Sequence, residues 1–282
     1  MISTDFLRQL DRFSLVVKKR ITSSFVGPQK SQAYGRGLVF KDYKDYVPGD
    51  DFRAIDWKIY ARTERLNIKR FEEERNMTLR ILLDASGSMN FGERTKKYEY
   101  GAMIGIGFAY MAYKNNERYT FSTFAEGIQP LRARKGGGQL LEMVHRLNTV
   151  EPRGLSRFKN CLDEYKRFID SKSIIILISD FLFDLEPVKE VLLRYKRSDV
   201  IVIQVLDPVE KNLTYTGDMI LKDAETNASM RTFVSQRLKR QYQEQLAAHI
   251  TRLKDICSRT NTEYQLAITD TPIFETFYQI LR

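Results

Sequence analysis

The stretch "LRILLDASGSMNFG", Leu79 to Gly92, decides how the rest of the chain is read. An apolar run ends in one carboxylate, Asp84, and Ser86 and Ser88 follow with one residue between them. The run has the composition of a buried strand, and its end delivers Asp84 to a loop crowded with side-chain oxygens. Three kinds of site begin this way: a covalent phosphatase with an aspartate nucleophile, a serine hydrolase, and a divalent-cation site.

Downstream of Met77, apolar strand patterns alternate with helical ones. Strands are predicted at Leu79–Asp84, Tyr119–Phe124, Ile174–Ser179, Val200–Leu206 and Tyr264–Thr269. Helices are predicted at Lys96–Lys114, Gln139–Leu147, Phe158–Ile169, Glu186–Tyr195, Arg231–Arg259 and Ile273–Leu281. Runs such as "SIIILIS" and "VIVIQVL" lack polar alternation, as strands of a parallel sheet covered on both faces must. The predicted fold class is therefore α/β, a doubly wound and mostly parallel sheet. Its ligand site lies at the carboxyl ends of strands where the strand order reverses. "GIQPLRAR" is expected at an antiparallel edge, and "GDMILKDAET" in a hairpin.

Residues 1–76 read as a separate extension, a helix followed by short strands, packed on an α/β domain spanning 77–282. Leu7, Leu10, Phe13 and Val17 recur at helical spacing, which predicts an amphipathic helix packed on the protein's own body. Pro48-Gly49 marks a turn, and Asp50 or Asp51 caps a predicted helix bearing Phe52, Ile55, Ile59 and Tyr60 on one side. "RLNIKRFEEE" predicts a further strand with Leu66 and Ile68 packed.

Composition bounds the function. The 282 residues carry 43% hydrophobic and 29% charged side chains, ordinary for a globular chain with a real core. No segment has the roughly 18 uninterrupted apolar residues of a membrane span. Cys161 and Cys257 are the only cysteines, so no disulfide framework is expected and a reducing cytoplasm is the predicted compartment. The net charge of +10 permits nucleic-acid binding, but basic clusters such as "RLKRQ" on a long helix usually form a solvated face.

A second carboxylate, Asp180, follows the apolar run of "SIIILISDFLFD", and "EPRGLSRFKNCL" sets Ser156 just before a helix. Asp84, Ser86, Ser88, Ser156 and Asp180 together make an all-oxygen set, which suits a hard cation, Mg²⁺ or Mn²⁺. The plainer possibility is that each serine only caps the next helix. The phosphatase would need a second aspartate two positions after the first, where Ser86 stands. The hydrolase elbow needs Gly-x-Ser-x-Gly, and the chain has Asp-Ala-Ser-Gly-Ser. His145 and His249 form no HExxH pair, and "RKGGGQLLE" lacks the Lys-Ser/Thr ending of a P-loop.

Asp84-x-Ser86-x-Ser88 resembles the opening of the metal-ion-dependent adhesion site of von Willebrand factor A domains. The resemblance implies that Ser86 and Ser88 coordinate Mg²⁺ while Asp84 and Asp180 act mainly through bound water. "GLSRFKNCL" is similar to that family's Gly-Gly-Thr-Asp segment and places Ser156 at its threonine. "DYVPGDDFRAIDWKIYART" with "FEEERN", then "LDPVE" and "LKDAETN", resemble the landmarks of the family called domain of unknown function fifty-eight. That resemblance implies a partner, a MoxR-type AAA+ ATPase, and a chaperone-like assembly role. Many relatives carry N-terminal membrane helices, and a form without them is expected here. The function expected is a metal-dependent protein-interaction module without catalysis. A hydrolase using the same cation is the alternative, and nucleic-acid binding ranks third.

Overall fold

A computed structural model of the chain describes residues 2, 5–11, 39–72, 77–169, 172–225 and 228–281. The chain divides into two units, Met1–Ser24 with Met77–Arg282, and Phe25–Asn76.

The larger unit is built on five parallel strands, β3 (Thr78–Asp84), β4 (Arg118–Phe124), β5 (Ser173–Ser179), β6 (Asp199–Leu206) and β9 (Glu263–Ile268), in spatial order β4-β3-β5-β6-β9. The first strand of the sheet in sequence, β3, has the second on one side and the third on the other. The order therefore reverses beside β3, and the carboxyl end of β3 is where sheets of this kind place a binding site. Every residue of β3 and of β5 is buried, which accounts for their unbroken apolar composition.

Helix α3 (Lys97–Lys114) lies across β3, β4, β5 and β6, and it also meets α4 (Gly137–Thr149) and α9 (Ile273–Ile280). On the opposite face α5 (Phe158–Tyr165), α6 (Glu186–Arg194) and α8 (Gln236–Arg259) enclose Leu82, Ile175, Leu177, Val200 and Val202. The N-terminal helix α1, residues 5–11, belongs to this unit. Phe6 and Leu10 are buried, and Ile2 exchanges two backbone hydrogen bonds with the Asn148 side chain. Phe13 and Val17 lie outside the described residues.

Glycines let α3 approach the sheet at Gly105 and α9 at Gly107. A Cβ on Gly105 would sit 2.2 Å from the Phe121 ring, and one on Gly107 would sit 1.9 Å from Phe277. Gly105→Ala should therefore cost about 1–3 kcal/mol from overpacking, despite alanine's roughly 1 kcal/mol advantage inside a helix. Urea denaturation reads this directly, with Gly138→Ala in α4, which meets nothing within 4 Å and so keeps the helical gain, as the unstrained comparison. Equal midpoints for the two variants would refute the close-packing account.

Two predicted elements differ in extent. The long helix begins at Gln236 rather than Arg231, because "SMRTFV" forms strand β8 (Ser229–Val234) paired with β7 (Gly217–Lys222). Ser235 then caps the helix by accepting from Leu238 N–H. "GDMILKDAET" is thus one arm and the turn of a hairpin. "GIQPLRAR" forms no strand but reaches the sheet edge through the isolated antiparallel bridges Phe124–Ile128 and Tyr119–Arg134 and through the Thr120 hydroxyl, which donates to Leu131 O.

The smaller unit pairs β1 (Val39–Asp45) antiparallel with β2 (Asn67–Glu72). The single helix expected after Pro48-Gly49 is instead two pieces. Asp51 caps the turn Phe52–Ala54, and Asp56 caps α2 (Trp57–Thr63). Asp56 is buried and also takes hydrogen bonds from Tyr43 and Lys69, so this one carboxylate ties cap to sheet. Ile68 is buried as expected, whereas Leu66 is exposed, and Trp57 remains 59% exposed.

Candidate metal centre

Asp84 is the last residue of β3 and is fully buried. Its Oδ1 accepts the Ser86 backbone N–H at 2.8 Å. Its Oδ2 accepts the hydroxyls of Ser156 at 2.9 Å and Ser179 at 2.8 Å. One carboxylate thus fastens three segments: the loop after β3, the loop before α5 and the end of β5. Backbone bonds from Gly87 N–H to Gly154 O and from Arg153 N–H to Ala85 O hold the first two together.

Ser86 occupies the N-cap position of the short turn Gly87–Asn90 yet makes no side-chain cap bond. Its hydroxyl lies 3.2 Å from that of Ser88 instead. The capping explanation therefore fails for Ser86. Two neighbouring ligands each about 2.1 Å from an octahedral Mg²⁺ stand about 3.0 Å apart, close to the serine spacing.

Asp180 follows β5, and its Oδ1 accepts the Leu182 N–H. The next residue, Phe181, adopts φ 51°, a left-handed conformation that bulky residues rarely take. Its buried ring stands edge-on to Phe158 and tilted against Phe183, which holds the backbone there.

All five residues predicted from the sequence come together at the reversal of strand order. Four participants were not predicted. Ser179 supplies the second hydroxyl to Asp84. Lys97, fully buried at the start of α3, reaches Asp180 Oδ2 at 2.8 Å and Glu210 Oε1 at 2.5 Å. Glu210 lies in α7 (Pro208–Asn212), where it also closes a capping box with Asp207. Glu225, in the β7–β8 turn, comes against the loop after β3, its Cα 3.4 Å from where a Cβ on Gly87 would stand, and faces Ser88 and Ser156. Signals for two of these were present: Glu210 sits in "LDPVE" and Glu225 in "LKDAETN".

Burial, and then the neighbouring Asp180 charge, push the Asp84 carboxyl up to about 6, against the pull of its serine hydrogen bonds. Burial works against the Lys97 charge, but Asp180 and Glu210 hold the ammonium above the ordinary lysine range. Burial also raises Glu210, and burial with Asp180 raises Glu225. Four carboxylates thus face one ammonium, a surplus of negative charge that favours a further cation. No three His, Cys, Asp or Glu side chains form a metal cage among the described residues. The oxygens available to a cation here are hydroxyls, with the carboxylates behind them, and that donor set fits Mg²⁺ or Mn²⁺. His249 is satisfied by Phe181 O at 2.6 Å and takes no part.

A family model described as "Protein of unknown function DUF58" matches residues 42–252. The uncharacterized protein Rv1480 of Mycobacterium tuberculosis is 25% identical over 246 residues, 85% of this chain and 77% of that protein. Among solved structures, the conserved hypothetical protein BatB from Bacteroides thetaiotaomicron aligns with a TM-score of 0.46 and 12% identity, covering 72% of this chain and 96% of that one. The SpRpn10 VWA domain aligns with the same score and identity over 72% and 94% of the two chains.

Proposed function

The chain belongs to the protein family of unknown function DUF58, and we propose that it is a protein-interaction module that takes an acidic side chain of its partner on a bound Mg²⁺ or Mn²⁺. Ser86, Ser88 and Ser156 would hold the ion directly, with Asp84 and Asp180 acting behind them. The observation that carries this reading is the pairing of the Ser86 and Ser88 hydroxyls in the loop after β3, where buried Asp84 takes the Ser156 hydroxyl, with a second buried carboxylate, Asp180, following β5. An ion held mainly by neutral hydroxyls keeps most of its charge and some exchangeable positions, and a carboxylate is the side chain that best fills one.

Catalysis is a poorer fit. Asp84 is the group whose raised pKa would suit a general base. Its two oxygens already accept three hydrogen bonds inside the fold, so it is engaged as an organiser. The partner we propose is a MoxR-type AAA+ ATPase, as the motif resemblance implies. The compartment we propose is the cytoplasm, supported by two buried free thiols, Cys161 and Cys257. No helix among the described residues is long and apolar enough to cross a membrane.

The test is affinity capture of the MoxR-type ATPase encoded by the same cell, using the full chain as bait in Mg²⁺ or in EDTA. Retention in Mg²⁺ with at least tenfold loss in EDTA is expected. Ser86→Ala should give the same loss in Mg²⁺, with the thermal transition little changed in EDTA. Retention indifferent to both would overturn the reading, and so would Mg²⁺-dependent phosphoester, ester or peptide hydrolysis that vanishes in Asp84→Ala.

A further inference from the structure

The β7–β8 hairpin lies between α7 and α8 in sequence, well away from the three loops that build the centre. Its turn nevertheless comes down on the Asp-x-Ser-x-Ser loop. A Cβ placed on Gly87 would lie 2.3 Å from Ala224 O and 3.4 Å from Glu225 Cα, so only glycine between the two serines admits the turn so closely. The turn has a fixed shape on this side, because Glu225 N–H donates to Asp223 Oδ1 at 2.8 Å.

The result is a carboxylate delivered to the hydroxyl cluster from within the chain. Glu225 faces Ser88 and Ser156, both from segments that supply proposed cation ligands, and their polar groups pull against the burial that raises its carboxyl. It stands beside Asp180, whose like charge opposes its approach. A carboxylate driven toward other carboxylates gains when a divalent cation lies between them. No helix cap or core packing explains the placement, since Glu225 is half-buried in a turn outside any helix.

We infer that Glu225 is a built-in carboxylate ligand, occupying on the cation the position that a partner's acidic side chain would take. The inference rests on the cation site proposed above and adds its regulation. The hairpin closes the centre until a partner carboxylate displaces Glu225, so a lone acidic side chain competes poorly. A partner that also engages the hairpin can open it. Exposed Ile220 and Phe233 on β7 and β8 offer such a partner apolar surface.

Water-proton relaxation by bound Mn²⁺ distinguishes the possibilities, because it counts the exchangeable waters on the ion. A six-coordinate ion held by three serine oxygens and Glu225 keeps about two waters, and Glu225→Ala leaves about three. Relaxivity per bound Mn²⁺ should therefore rise about 1.5-fold in Glu225→Ala at saturation, with Mn²⁺ binding severalfold weaker. Equal relaxivity in wild type and variant overturns the inference and leaves the cation site standing. Failure of the wild-type chain to bind Mn²⁺ overturns both.

Discussion

In EDTA at pH 7.5, Asp84→Asn should be more stable than the wild type, and it should no longer respond to Mg²⁺. Asp84 is buried, and its carboxyl is raised from 3.8 to about 6 by desolvation and by Asp180. A carboxyl whose folded value exceeds its unfolded one binds more protons when folded, so stability falls as pH rises between those values. The contribution is complete below about pH 4 and lost above about pH 6. At about 1.4 kcal/mol for each tenfold step in proton affinity, the ionised group costs the metal-free fold about 3 kcal/mol at neutral pH. Asparagine avoids that cost while keeping the contacts. Its oxygen accepts the Ser86 N–H, and its amide donates to the hydroxyls of Ser156 and Ser179, which rotate to accept. Saturating Mg²⁺ should stabilise the wild type by about 2.7 kcal/mol at a hundredfold excess over Kd, and the variant not at all. Urea denaturation with and without Mg²⁺ at pH 4.5 and 7.5 checks all three points. A variant weaker than wild type at pH 7.5 in EDTA would refute the account of Asp84, and a variant that Mg²⁺ still stabilises would refute the cation site.

The same carboxylate shows where sequence stops being informative. Asp84 and Asp180 were legible because each ends an unbroken apolar run, and a parallel sheet puts its site at strand ends. Ser86, Ser88 and Ser156 were legible because their spacing brings hydroxyls to that edge. Ser179 was hidden inside its own strand, where a terminal serine looks like the close of the run. Lys97 was harder still. It lies next to Lys96 in a stretch of charged residues, and nothing local says that Lys96 is exposed while Lys97 is fully buried. Its pairing spans 83 residues to Asp180 and 113 to Glu210, which only the assembled topology can supply. The extent of the long helix was misread for a related reason. "SMRTFV" shares some helical periodicity with the residues after Ser235, and only pairing with β7 makes it a strand. The left-handed Phe181 likewise depends on rings from α5 and the loop beyond, not on its neighbours in sequence.

Lys97→Met should be the most damaging single change at the centre, costing about 3–5 kcal/mol at neutral pH. Methionine matches the length of the stem and packs in the same volume, so the loss is electrostatic. Removing one member of a buried ion cluster leaves the others charged and unsolvated, which costs far more than an exposed pair is worth. Asp180 is as buried as Lys97, and the Glu210 side chain retains only 17% exposure, so neither can be rehydrated without opening the loop after β5 or the start of α7. The deficit has a definite pH dependence. Without the ammonium, burial pushes the Glu210 carboxyl further above its ordinary range, and the variant then loses stability as pH increases through that range. Acidification toward pH 5 should therefore narrow the gap between variant and wild type. Mg²⁺ should narrow it too, because the centre now carries one more uncompensated negative charge, and a divalent ion meets less repulsion once the lysine is gone. Denaturation of both proteins at pH 5 and 7.5, each with and without Mg²⁺, measures the four gaps. A cost under about 1 kcal/mol at pH 7.5 would mean that Lys97 is solvated like a surface lysine. A gap that Mg²⁺ leaves unchanged would mean that the ion and the ammonium do not share one electrostatic centre.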